Sequence, residues 1–90
     1  MLNWFVYVLR SGKRNWIYVG STNDIPRRFK EHCDGSVQST KFHRPLKLVA
    51  YIAVESEERA RKLERSLKAG SGKAILRKRI LTDEVPSSGT

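Results

Sequence analysis

Ninety residues, 39% of them hydrophobic and including two Trp, three Tyr and three Phe, suffice for one modest core and leave no room for a second domain. Eighteen Lys and Arg against nine Asp and Glu leave a formal charge of +9, the balance of a protein that meets a polyanion, with nucleic acid the first partner to consider. Cys33 is the single cysteine, which excludes an internal disulfide, and with only His32 and His43 as other soft ligands a structural zinc site is not expected. The apolar run from Trp4 to Leu9 lacks a basic leader and is too short to span a bilayer, so the expected location is the cytoplasm, without a membrane role.

Trp4 to Leu9 and Trp16 to Ser21 are rich in β-branched and aromatic residues and flank the polar Ser11-Gly12-Lys13-Arg14, a hairpin pattern. A tight turn at Gly12-Lys13 would set Tyr7 opposite Tyr18, with Phe5, Leu9 and Trp16 on the same face and Trp4, Val6, Val8, Ile17 and Val19 on the other. Both faces then need cover. Asn23 and Asp24 offer caps and Pro26 suits a first turn, so a helix runs to about His32 and ends at Asp34-Gly35. Its stripe is Ile25, Arg28, Phe29 and His32, with Arg27, Lys30 and Glu31 opposite. A basic loop over residues 35–45 leads to a third strand from Leu46 to Val54. Ser56, followed by Glu57 and Glu58, starts a second helix to about Ala69. Gly70-Ser71-Gly72 should break it, and a last helix with Ala74, Ile75, Ile80 and Leu81 follows. The domain is expected to span residues 1–85, with a frayed tail over 86–90.

Several side chains stand out from this pattern. Glu64 falls inside the buried stripe of the second helix with Ala60, Leu63 and Leu67, so its carboxylate needs either a cation such as Arg28 or a hard metal ion such as Mg²⁺. Tyr7 and Tyr18 are packing residues unless the helix bearing Arg28 and His32 covers their face, which would assemble phosphate-binding and proton-moving groups. Two basic clusters have the footprint of phosphate contacts: Lys41, His43, Arg44 and Lys47 in and after the loop, and Arg65, Lys68, Lys73, Arg77, Lys78 and Arg79 without an intervening acid. Cys33 has no evident partner for thiol chemistry and reads as structural or incidental.

The order Val6-Tyr7-Val8, then Tyr18-Val19-Gly20-Ser21-Thr22, then Asp24 through Arg27-Arg28-Phe29 to His32, resembles the GIY-YIG nuclease superfamily, and in particular its small single-domain bacterial members. The likeness extends through Arg44-Pro45-Leu46-Lys47-Leu48-Val49 to Glu64 and the stretch after Leu67. It implies an α+β fold, a three-stranded antiparallel sheet flanked by helices. It also implies a metal-dependent DNA endonuclease in which Tyr7, Tyr18, Arg28, His32 and Glu64 form the catalytic set and Glu64 holds Mg²⁺ or Mn²⁺. Tyr7 or His32 would activate water, and the sequence leaves the choice open. Phe5-Val6-Tyr7 replaces Gly-Ile-Tyr in the first half-motif, and no asparagine follows Asn23, although some members have a late active-site asparagine.

A noncatalytic nucleic-acid-binding module and a structural RNA-associated protein are the alternatives, and retention of all five polar site residues favours the nuclease. Phe5, Trp16 and Phe42 near a basic loop favour single-stranded or locally unpaired DNA, because unpaired bases can stack on them.

Overall fold

A computed structural model describes residues 1–80, with side chains through Lys78. Strand β1 (Trp4–Ser11) is central, paired antiparallel with β2 (Ile17–Thr22) on one side and β3 (Leu46–Val54) on the other. Helix α1 (Ile25–Cys33) meets the Tyr7 face through His32, whose ring packs edge-on against Tyr7 and obliquely against Tyr18. On the opposite face Val6, Val8, Ile17 and Val19 are buried with Ala60 of α2 (Glu57–Lys68) and Leu76. Leu76 opens a π-helical turn, Leu76–Ile80, that continues α3 (Gly70–Ile75). The result is the expected α+β fold, a three-stranded antiparallel sheet with three helices.

Alternation along β1 explains the two-sided burial, since successive side chains leave opposite faces of a strand. Between Val8 and Leu9 the pairing with β3 slips by one residue, from Val8 opposite Ala50 to Leu9 opposite Leu48. The extra Val49 therefore joins Ala50 against the α2 face. Both longer helices start as their caps dictate: Asp24 accepts from Arg27 N at 3.1 Å, and Ser56 from Arg59 N at 3.2 Å.

Two expectations change. The hairpin turn spans residues 12–16 rather than two residues, so Tyr7 pairs with Gly20 and Tyr18 with Leu9. The register moves by an even number of residues, which preserves every face assignment. Gly70-Ser71-Gly72 is the first turn of α3 and not a break; the chain turns at Ala69, whose backbone is extended. Gly72 is there for close approach, because a Cβ would strike Ser66 O and Leu67 Cα of α2. The domain end at 85, the tail over 86–90 and Leu81 lie outside the described residues.

Candidate active site

The site forms where the β2 edge, the start of α1 and one side of α2 meet around a polar cleft of about 330 Å³. Tyr7 and Tyr18 reach it from one face of the sheet; Ser21, two residues beyond Val19, reaches it from the other. Gly20 makes this possible. A Cβ there would stand 2.6 Å from the Tyr7 hydroxyl and 2.9 Å from Tyr18 Cε2, so the phenol lies directly over bare backbone.

Behind Tyr7 is a buried polar chain. Its hydroxyl is 2.8 Å from His32 Nε2, and His32 Nδ1 is 2.7 Å from Thr40 Oγ1, with His32 and Thr40 both fully buried. Burial, followed by the Arg28 charge, pushes the His32 pKa down to about 4, so the ring is neutral at physiological pH. Burial also pushes the Tyr7 phenol up to about 12, against the hydrogen bond from Arg28. Thr40 belongs to the basic loop over residues 35–45, which turns inward at Val37 and Thr40 before a 3₁₀ turn, Lys41–His43.

Arg28 and Glu64 do not form the ion pair considered as one alternative. Arg28 Nη1 donates to Glu31 Oε1 at 2.9 Å, a contact that holds the guanidinium above its ordinary pKa, with the neighbouring Tyr7 acting in the same direction. Glu64 accepts from Ser21 Oγ at 2.6 Å and pairs with Lys68 Nζ at 2.8 Å. Burial works to raise the Glu64 pKa, but the hydrogen bonds from Lys68 and Ser21 outweigh it and the carboxyl stays ionised below its usual range. Arg27, assigned to the far side of α1, also lines the cleft and shares Glu31, its Nη1 donating to Oε2 at 3.2 Å. The first turn of α1 stands at the cleft rim, where a long side chain bends back over it.

The structure thus brings Tyr7, Tyr18, Arg28 and Glu64 into one cleft and places His32 in hydrogen-bond contact behind it. Sequence reasoning missed Ser21, Thr40 and Arg61. Ser21 was accessible from strand alternation, which puts it on the α2 face with Val19; Thr40 left no signal, since its role depends on how a loop folds back. Among the described residues no three His, Cys, Asp or Glu side chains cluster as a metal-ligand group.

The basic residues separate by use. Lys68 is at the cleft, with Nζ 5.5 Å from the centre of the Tyr18 ring. Arg44 is exposed but tied to its own loop, its Nε donating to Lys41 O at 3.0 Å, and His43 is stacked flat on Trp16. Lys47, Arg65, Lys73, Arg77 and Lys78 are exposed and Lys41 half-exposed. Of the aromatic candidates, Phe5 packs edge-on against Tyr51 in a separate apolar groove, while Phe42 is 66% exposed.

A small α+β domain with a cleft holding two tyrosines, three arginines and one carboxylate has the parts of a phosphodiester-handling enzyme. The model of the GIY-YIG catalytic domain matches residues 3–79, and the chain belongs to that nuclease family. Among its relatives, the UPF0213 protein BH0048 of Halalkalibacterium halodurans is 37% identical over 68 residues, covering 74% of this chain and 71% of the relative. The UPF0213 protein YazA of Bacillus subtilis is 35% identical over 63 residues, 69% of this chain and 63% of the relative. The solution NMR structure of BH0048 superposes with a TM-score of 0.51 at 34% identity, covering 81% of this chain and 80% of that one. No helix among the described residues is long and apolar enough to cross a membrane.

Proposed function

We propose that this protein is a metal-dependent DNA endonuclease that hydrolyses phosphodiester bonds, preferring single-stranded or locally unpaired DNA in the cytoplasm. The observation that carries the reading is the joint placement of the Tyr7 hydroxyl, the Arg28 guanidinium and the ionised Glu64 around one polar cleft.

Glu64 and Ser21 offer hard oxygen donors, the kind Mg²⁺ or Mn²⁺ takes, and a single carboxylate fits an ion that keeps water and substrate phosphate as its other ligands. The bound ion would act as a Lewis acid on the phosphate. Lys68, which pairs with Glu64 Oε2, would compete with such an ion for the carboxylate. Arg28 stabilises charge that develops on the phosphate oxygens, with Glu31 holding the guanidinium in place.

Tyr7 contacts the attacking water, because it lines the cleft whereas His32 is sealed behind it. A phenol near 12 and an imidazole near 4 are each poor bases alone at neutral pH. In a relay the water proton passes to the Tyr7 oxygen while the phenolic proton passes to His32 Nε2, so His32 is the net acceptor and Tyr7 the conduit that links the cleft to it, with Nδ1–H donating to Thr40 Oγ1. Tyr18 packs obliquely beside Tyr7 and walls the site.

Cleavage of one sequence as single strand, full duplex and branched DNA, and as RNA, with and without Mg²⁺ or Mn²⁺, tests this function. Metal-dependent cutting fastest on the single strand is expected. A duplex rate equal to or above it overturns the substrate preference, and binding without cutting in every arm overturns the nuclease.

A further inference from the structure

The hairpin turn between β1 and β2 carries Lys13 and Arg14, which do not line the cleft, and segments distant in sequence converge on it. Gly12 N donates to Pro45 O at 2.7 Å, and Ser11 Oγ donates to His43 O at 2.7 Å. Arg77 Nη1 donates to Asn15 Oδ1 at 2.7 Å, and the Trp16 and His43 rings stack 3.6 Å apart at 4°. The turn is therefore held beside the Lys41–His43 segment and the start of β3, and the cations of three regions share one end of the sheet.

Lys13, Arg14 and Lys47 are exposed, Lys41 is half-exposed over the Phe42 ring, and no ion pair among the described residues occupies any of the four. Their positive field reaches inward. His43 has a lowered pKa, first from burial and then from Arg14 and Lys13.

An aromatic run joins this end to the cleft. Tyr18 lines the cleft; Trp16 stacks on it at 6.3 Å and 27°, and His43 stacks on Trp16. With His43 flat on Trp16, this run is a rigid apolar wall beside the cations, which a flexible single strand can follow with its phosphates on the cations. A duplex keeps its base faces stacked and unavailable.

We propose that Lys13 and Arg14, with Lys41 and Lys47, bind the phosphates of the single strand that leaves the cleft past Tyr18 and Trp16. The inference rests on the nuclease reading and adds to it the site that holds the substrate flank. Lys13 and Arg14 were not among the residues assigned to nucleic acid from the sequence, because a two-cation turn is isolated until the fold brings the loop beside it.

The test is the salt dependence of binding, followed by anisotropy of a labelled oligothymidylate and its duplex with oligodeoxyadenylate, in metal-free buffer where nothing is cut. Removing one cation that neutralises a phosphate should lower the slope of log K against log salt by about 0.7 on a single strand. The double variant Lys13→Ala/Arg14→Ala should therefore lower it by about 1.4, while Arg59→Ala/Lys62→Ala, two exposed cations of α2 away from the turn, leaves it unchanged. An unchanged slope in the turn variant, an equal decrease in the α2 control, or a decrease confined to duplex overturns the proposal and leaves the nuclease reading standing. Failure of the parent to bind or cut any nucleic acid overturns both.

Discussion

Gly20→Ala inserts one methyl group where the Tyr7 phenol crosses the β2 edge. The new Cβ would meet the hydroxyl at 2.6 Å, Tyr7 Cζ at 2.7 Å and Tyr18 Cε2 at 2.9 Å, all far inside the ~3.5 Å of ordinary carbon contacts. Backbone at a paired strand position cannot retreat easily, so Tyr7 must move by roughly 1 Å. That displacement takes the 2.8 Å bond to His32 beyond hydrogen-bond range. Overpacking of this kind costs about 1–3 kcal/mol, and misplacing a reacting group by about 1 Å costs up to ~10²-fold in rate. Thermal melting and initial cleavage rates should both fall. Gly70→Ala is the control, with nothing within 4 Å of its added Cβ, and should match the parent. Parent-like melting and parent-like cleavage in Gly20→Ala would refute the placement of Tyr7 over this glycine.

Arg28→Ala should lower the cleavage rate by about 10²–10³, and Arg27→Ala by less than about tenfold, because Arg28 and not Arg27 is the cation that acts on the Tyr7 phenol; equal reductions in initial rate would contradict the assignment. Stability should also follow the His32 protonation state. The unfolded imidazole binds a proton at its ordinary 6.5 and the folded one only near 4, so stabilisation is complete above 6.5 and is lost as pH falls towards 4, by on the order of 3 kcal/mol. His43, lowered as well, acts in the same direction, whereas Glu31 and Glu64, also lowered, lose their contributions only below about 4.5. Urea midpoints between pH 4.5 and 7 should therefore fall with acid in the parent and less steeply in His32→Gln; parallel curves would contradict a buried neutral His32.

Much of this architecture was legible because periodicity survives errors of detail. The hairpin register was off, yet Tyr7 and Tyr18 still shared a face, since an even slip preserves strand parity. The stripe of α2 correctly turned Ala60, Leu63 and Leu67 towards the sheet and exposed Glu64 as an anomaly. What the pattern concealed were contacts made by long or looped segments: Arg27 reaching the cleft from the solvated side, Glu64 choosing Lys68 over Arg28, and Thr40 folding under His32. Glycine was the least readable residue. Gly72 serves helix contact and Gly20 a tyrosine crossing, while both look like breakers or weak strand positions in one dimension.

The central claim is that Glu64 holds the ion that makes the cleft a nuclease. Its most direct test is cleavage of a labelled single strand by the parent and by Glu64→Gln across a Mg²⁺ titration, with folding of both checked by circular dichroism. Glutamine retains a side-chain oxygen for Ser21 but has no charge for the metal. The parent should cut only with metal, and folded Glu64→Gln should be slower by at least ~10²-fold at every Mg²⁺ concentration. Equal rates for the two proteins, or undiminished parent cleavage in chelator, would contradict the account.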